Sequence, residues 1–446
     1  MFVLTDDLST NLLPYMPNVA ALRRAGAAFT NYFVVDSLCC PSRSAIFTGQ
    51  FPHNNGVFTN AGKDGGYSAY NAHGDDKKSF AIALHNAGYR TGFMGKYLNG
   101  YQPQLRQPIG WDEWDVAGNG YASFDYNLNE NGTVHSYGHR PADHLTDVLS
   151  RKAARFVDDA ARSSRPFALE VATFAPHLPA VPAPRDASRF PALHAPRTPA
   201  FDRIPTGATR WLAHRPPLQV ADKQRIDRDF RQRVRSVQAV DTMIGRLRRE
   251  LQRTGAANHT YFVFSSDNGF HLGEHRLRPG KQTAFDTDIR VPLLISGPGV
   301  PSGRTIDAMT SSVDLAPTFE QLGGATPTAM RDGRSLEPLL HGKTAPPDWP
   351  QAVLVEHHGP GSSPDDPDRQ PDRPPTYEAV RTATELYVEY ATGEREYYDL
   401  ARDPDELDNR AATVSASRLT PLRRVLHQLQ SCKGAVACGA SARVSR

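Results

Sequence analysis

Residues 37 to 49 read Ser37-Leu38-Cys39-Cys40-Pro41-Ser42-Arg43-Ser44-Ala45-Ile46-Phe47-Thr48-Gly49. Ser44 to Phe47 has helical character, and Thr48-Gly49 is a stop signal. Upstream, residues 17 to 28 look helical, and Phe29 to Val35 reads as a strand leading into the turn that carries Cys39. Alone, the run admits plain readings: Cys39 and Cys40 are small buried apolar residues ahead of a helix, or one of them is half of a disulfide.

Outward from this stretch, apolar runs repeatedly stop at a polar residue. Phe2-Val3-Leu4 ends in Thr5-Asp6-Asp7, and Thr91-Gly92-Phe93-Met94-Gly95 ends in Lys96. Pro166 to Phe174 runs into Ala175-Pro176-His177-Leu178-Pro179, and Tyr261 to Ser266 runs into Asp267-Asn268-Gly269. Buried parallel strands deliver polar residues to their C-terminal edge, where ligands sit in open α/β sheets. Each case has an ordinary alternative: a helix N-cap for Asp6 or Asp7, a solvated lysine at Lys96, a loop histidine at His177, a turn at Asp267-Asn268-Gly269. The repetition favours one shared site.

A chain of 446 residues with 39% hydrophobic content buries a large core and divides into one big domain with a smaller companion, or two domains. Its net charge of +3, from 51 basic and 48 acidic residues without a dense basic block, does not indicate nucleic-acid binding. No run of about 18 apolar residues marks a membrane span. Met1 to Asp7 lacks the basic start, apolar run and cleavage site of a secretory signal, so a removed leader or a start downstream of the true one is expected. Cys432 and Cys438 lie in a small-residue loop after a helix, which suits a local disulfide and an oxidising compartment; two free thiols are the alternative. No zinc pattern is present.

The run Cys39-x-Pro41-Ser42-Arg43 resembles the signature of the type I sulfatases, and the later motifs follow in that family's order. In that family the cysteine at the position of Cys39 is oxidised to formylglycine, an aldehyde that hydrates to a gem-diol nucleophile. A sulfated gem-diol keeps a second hydroxyl whose deprotonation expels sulfate, whereas a sulfated serine would need a second attack by water. The resemblance implies an α/β fold: an alkaline-phosphatase-like core with a mixed, mostly parallel sheet flanked by helices, plus a smaller C-terminal α+β domain with an antiparallel sheet. It makes Asp6, Asp7, Asp267 and Asn268, with the formylglycine from Cys39, ligands of Ca²⁺ or Mg²⁺, a set of hard oxygen donors. Arg43 and Lys96 then neutralise charge at the nucleophile, while His177 and Lys281, in Arg278-Pro279-Gly280-Lys281-Gln282-Thr283, serve the sulfate and the leaving oxygen. Residues 289 to 299 and 311 to 318 also resemble sulfatase segments and take structural roles.

One departure stands out. Many family members follow the lysine with Trp-His, but here Lys96-Tyr97-Leu98-Asn99 puts Leu98 at the histidine position. This form, with Gly110-Trp111-Asp112-Glu113-Trp114 and residues 125 to 132, is similar to the N-acetylglucosamine-6-sulfatase branch, and leaves the base for sulfate elimination open. Asn99 is a hydrogen-bonding occupant for that place, not a base.

The implied function is a sulfuric ester hydrolase acting on a sulfated sugar of glucosamine 6-sulfate type or an aryl sulfate, matured by a formylglycine-generating enzyme and located outside the cytoplasm. The alternatives are a phosphonate or phosphate ester hydrolase, and a non-catalytic sulfated-glycan binder with Cys39 unmodified. Residues 1–345 are expected to form the catalytic domain and 346–446 the smaller one. In the former, 180 to 220 reads as a surface excursion and Gln224 to Gln252 as a helix with Val237, Val240, Ile244, Leu247 and Leu251 on one stripe. In the latter, Val353 to Glu356 reads as a strand, Gly359 to Pro375 as a mobile loop, Glu385–Tyr390 and Glu396–Leu400 as a hairpin, and Ala416 to Gln430 as a helix.

Overall fold

The computed structural model describes residues 1–163, 165–342, 344–359, 368 and 373–444. Its strands are β1 (Phe2–Thr5), β2 (Ala27–Phe29), β3 (Tyr32–Phe33), β4 (Arg90–Lys96), β5 (Glu113–Ala117), β6 (Tyr126–Glu130), β7 (Thr133–Tyr137), β8 (Phe167–Ala172), β9 (Phe262–Ser266), β10 (Leu293–Ser296), β11 (Arg304–Ile306) and β12 (Thr310–Ser311). Then follow β13 (Ala352–His357), β14 (Tyr377–Thr382), β15 (Glu385–Tyr390) and β16 (Arg395–Asp399). Among the described residues, ten strands form one sheet in the order β11-β2-β10-β9-β1-β8-β4-β5-β6-β7. Its middle, β9 through β5, is parallel, and antiparallel pairs close both sides.

Register explains why the polar strand ends meet. Leu4 is level with Ala172 on one side and Ser265 on the other, and Ala172 is level with Gly95. The residues that follow therefore leave the sheet at one edge: Asp6 and Asp7, Asp267 and Asn268, Lys96, and the loop to His177. Strands this apolar are buried on both faces, which is why they read as continuous runs rather than alternating ones.

The helix Val220–Arg253 backs the sheet and extends beyond both expected ends; all five stripe residues are buried. Its Asp241 accepts hydrogen bonds from the Asn18 and Val19 amides, capping the helix Pro17–Ala25 that packs on it. Residues 180 to 220 hold only short helical turns and are tied down by Asp227, which accepts from the Ala195 amide and pairs with Arg197. The strand expected over Phe29 to Val35 is instead two pieces. β2 pairs in the main sheet, whereas β3 joins β12, because the Thr30 amide donates to Ile306 and the Thr310 amide to Asn31 at the break.

β13 to β16 form a separate antiparallel sheet, with the helix Ala416–Leu429 against it and Cys432 bonded to Cys438. β14 was not foreseen; it lies between the expected strands. Of the loop expected over Gly359 to Pro375, residues 360–367 and 369–372 lie outside the described residues. No described helix is long and apolar enough to cross a membrane.

Glu170 on β8 lies between Phe2 and Phe93, with neither carboxyl oxygen hydrogen-bonded to any described residue. Burial raises its pKa to about 8, against a weak opposing pull from Arg43. Below about pH 4.5 the group is protonated in both folded and unfolded chains. As pH rises toward 8 the unfolded chain ionises first, so stability falls across that window. Glu170→Gln is expected to flatten this slope. Relative to the wild type, the variant gains a few kcal/mol between pH 5 and 8, with a ceiling of roughly 5 kcal/mol. Urea unfolding at the two pH values tests this, and equal slopes would refute it.

Candidate active site

The helix Cys39–Thr48 starts from extended Leu38 and ends at Gly49, whose φ of 63° is left-handed. That conformation suits glycine and closes the helix as the sequence expects. Every residue of this helix is buried, so it presents Cys39 from inside the domain.

Cys39 Sγ lies 2.7 Å from Lys281 Nζ, 3.3 Å from Asp6 Oδ1 and 3.6 Å from Asp368 Oδ2. Lys281 also reaches Asp7 Oδ1 at 2.6 Å and Asp368 Oδ1 at 3.0 Å. Lys96 Nζ pairs with Asp6 Oδ2 at 2.6 Å. Arg43 pairs through Nε with Asp267 Oδ2 at 2.7 Å and donates through Nη1 to the Lys96 carbonyl at 2.7 Å. His177 Nδ1 donates to the Leu178 carbonyl at 2.6 Å, and its Nε2 is 2.9 Å from Asp368 Oδ1 and 3.7 Å from Asp7 Oδ2. All nine residues singled out from the sequence thus converge on one buried edge.

Electrostatics follow from this crowding. Burial opposes ionisation of Asp6, but Lys96, His177, Arg43 and Lys281 outweigh it and hold its carboxyl below the usual range. Burial and the Asp6 carboxylate push Asp267 up to about 6. Burial opposes the charge on His177, yet Asp7, Asp368 and Asp6 more than compensate and raise it above its ordinary value. Lys281 is raised against its burial by Asp368 and Asp7, so it stays an ammonium. The Cys39 thiol is pushed well up by burial, then by Asp368 and Asp6. It is therefore held protonated, which makes it a poor sulfur nucleophile.

Asp7, Asn268 and Asp267 interlock. The Asp7 and Asn268 amides both donate to Asp267 Oδ1, and Asn268 Nδ2 donates to Asp7 Oδ1 at 2.7 Å. Asp7 Oδ2 and Asn268 Oδ1 remain buried without a hydrogen-bond partner among the described residues. Ligand atoms of Asp6, Asp7, Cys39 and His177 lie within 4.8 Å of one another. Asp267 lies outside that group of atoms and adjoins it, with Oδ2 paired to Arg43 and Oδ1 accepting from the Asp7 and Asn268 amides.

Several neighbours of the site carried no sequence signal. Asn60 accepts from the Cys40 amide and donates to Asp368 Oδ2 at 2.7 Å. The Tyr121 ring lies 4.4 Å from the His177 ring and 5.1 Å from Lys96 Nζ. Asp368 reaches in from beyond β13, and Gln282 Nε2 donates to its carbonyl. Leu98 is buried in the core, and the Asn99 backbone contacts the Cys40 thiol rather than Cys39.

Residues 2–325 match the family model described as sulfatase, nearly three quarters of the chain. The chain belongs to the sulfatase family. Residues 273–432 match a second model, described as the C-terminal part of N-sulphoglucosamine sulphohydrolase. Human N-acetylglucosamine-6-sulfatase is 33% identical over 471 residues, 97% of this chain and 84% of the relative. An extracellular sulfatase of Drosophila melanogaster is 34% identical over 369 residues, 80% of this chain, which spans only 33% of that relative's length. Among solved structures, one determined with its substrate D-glucosamine-2-N,6-O-disulfate has a TM-score of 0.83 and 25% identity over 96% of both chains. This sulfatase is accordingly a sulfuric ester hydrolase, and its large sheet is the alkaline-phosphatase-like core expected.

Proposed function

We propose that this sulfatase releases the 6-sulfate of a glucosamine-type sugar, with Cys39 matured to formylglycine by a dedicated generating enzyme and with Ca²⁺ or Mg²⁺ held by Asp6, Asp7, Asp267, Asn268 and the modified Cys39. The observation that carries it is the surrounding of Cys39: a thiol held protonated by burial, yet within 2.7 Å of the Lys281 ammonium and 3.3 Å of Asp6. Such a place is poor for a thiolate and well suited to an oxygen nucleophile. The cation fits the donor chemistry, since Asp7 Oδ2 and Asn268 Oδ1 are buried oxygens without a hydrogen-bond partner among the described residues. When present, the formylglycine supplies the attacking oxygen and the cation supplies positive charge for the sulfate.

This chain's own groups do the rest. Lys281 and His177 both grip Asp368 Oδ1, so the slot in front of Cys39 already receives an oxyanion. In the reaction we assign these two donors to the ester's leaving oxygen, which they stabilise and protonate as it departs. Asp7, Asp368 and Asp6 raise His177 above its ordinary value, which favours the proton-carrying form that can donate. Lys96 and Arg43 offset the negative charge gathered around the nucleophile. The sugar assignment draws on the human relative and on the substrate of the solved neighbour. On this reading residues 1–345 form the catalytic domain and 346–446 the smaller domain that contributes Asp368. The Cys432–Cys438 disulfide and the extracellular relative support a location outside the cytoplasm.

The test is turnover by matured protein on glucosamine 6-sulfate, glucosamine 2-N-sulfate and glucosamine 6-phosphate. Release from the 6-sulfate is expected to exceed both others by about 100-fold, the upper end of what one hydrogen bond to a charged group contributes. Preference for the phosphate would favour the phosphate ester reading, and inertness toward all three with Cys39 fully modified would sink the sugar assignment.

A further inference from the structure

Arg233 sits midway along the helix Val220–Arg253 and is fully buried, at 0% exposure. No carboxylate among the described residues makes an ion pair or hydrogen bond with it. Its Nη2 donates to the Asp7 carbonyl at 2.6 Å and to Ser9 Oγ at 3.3 Å, and its Nη1 donates to the Pro176 carbonyl at 3.5 Å. The guanidinium carbon lies 4.1 Å from the centre of the Phe270 ring, and Nε has no hydrogen-bond partner among the described residues. Asp7, Asp229 and Asp6 act on the side chain only through space. A buried guanidinium without a paired carboxylate is costly, and packing alone would be served by an apolar side chain of the same length.

What the guanidinium touches gives the reason for its presence. Asp7 and Ser9 belong to the loop after β1, Pro176 directly precedes His177 after β8, and Phe270 follows Asp267-Asn268-Gly269 after β9. Three strand-end loops, each carrying residues of the candidate site, therefore meet on one planar fork with donors in fixed directions. Asp7 also has a φ of 65°, a left-handed conformation costly for a non-glycine residue that needs outside support. The Asp7 carbonyl bonded to Arg233 supplies that support.

We propose that Arg233 is a positioning residue that fixes Asp7 and His177 relative to each other. The catalytic consequence rests on the roles assigned above; the structural coupling does not. A lysine can keep the charge but cannot hold both carbonyls with a planar fork, and a methionine keeps only the volume.

The experiment compares Arg233→Met and Arg233→Lys with the wild-type full chain by hydrogen exchange and steady-state kinetics. In Arg233→Met, exchange in peptides covering residues 6–9 and 174–178 is expected to rise together by about 10-fold or more, while β1, β8 and β9 stay protected. The kcat on a sulfate ester is expected to fall by about 100-fold with KM changed less than about 3-fold, the pattern of lost orientation. Arg233→Lys is expected to recover part of both. Unchanged exchange in the two loops, or a uniform rise across the sheet, would overturn the proposal. The same joint rise in Arg233→Met, with the wild type itself inactive on sulfate esters, would support the positioning role and count against the sulfatase chemistry alone.

Discussion

Cys39→Ala is expected to abolish sulfate-ester turnover, with a loss of at least about 10⁴-fold in kcat/KM, the scale seen when a nucleophile is removed from a preorganised site. The fold should survive the change. Alanine is the best helix former, Cys39 opens a helix, and the volume removed is one sulfur atom. The neighbouring groups that act on the substrate, Lys96, Lys281, Arg43 and His177, are held by their own partners at Asp6, Asp7, Asp267 and the Leu178 carbonyl. The variant should therefore still bind the ester, with a dissociation constant close to that of the wild type, while failing to cleave it. A matching chemical signature is expected in the wild type. The peptide containing Cys39 should weigh about 18 Da less than its thiol form, the difference between a thiol and an aldehyde at a nucleophile of this kind. Retention of more than about 1% of turnover in Cys39→Ala would remove Cys39 from the reaction and would favour a water nucleophile instead.

The sequence made one class of feature readable: local runs whose ends are forced to one place by strand register. Phe2-Val3-Leu4 and Tyr261 to Ser266 are short and apolar because they are buried on both faces, and their polar followers are conspicuous for that reason. Cys39 and Arg43 were readable because helix spacing and a motif coincide within one short stretch. The contacts that complete the site arise from packing between distant segments, which no local pattern encodes. Asn60 meets Asp368 across 308 positions, and Arg233 meets Asp7 across 226. Arg233 in particular lies on a helix rich in arginine, where composition points to a solvated face and only tertiary packing distinguishes the one that is buried. The strand expected over Phe29 to Val35 divides for a similar reason. Its apolar content is uniform, but the backbone bonds at Thr30 and Asn31 are claimed by partners near residues 306 and 310.

Removal of divalent cations is expected to reduce turnover by about 10³-fold or more, and readdition of Ca²⁺ to restore it. The charge balance of the buried edge calls for a cation. Asp6, Asp7, Asp267 and Asn268 are all buried there, and among the described residues Asp7 Oδ2 and Asn268 Oδ1 have no hydrogen-bond partner. Lys96 and Lys281 each sit 2.6 Å from one of these carboxylates. A bound cation would take over part of that carboxylate charge and leave the two ammonium groups available to an incoming sulfate. Binding to the folded chain alone also stabilises it, by roughly 4 kcal/mol when the free cation is about 1,000 times its dissociation constant. The melting temperature should therefore rise with Ca²⁺ concentration, and this should hold for Cys39→Ala as well if the four oxygen donors dominate the site. Asp7→Asn and Asp267→Asn should each weaken the concentration dependence, since a carboxylate holds a hard cation better than an amide does. If the melting temperature ignores both Ca²⁺ and Mg²⁺ while turnover persists in a chelator, the carboxylates at this edge serve only to pair Lys96, Lys281 and Arg43. The positive charge on the sulfate would then come from those three side chains alone.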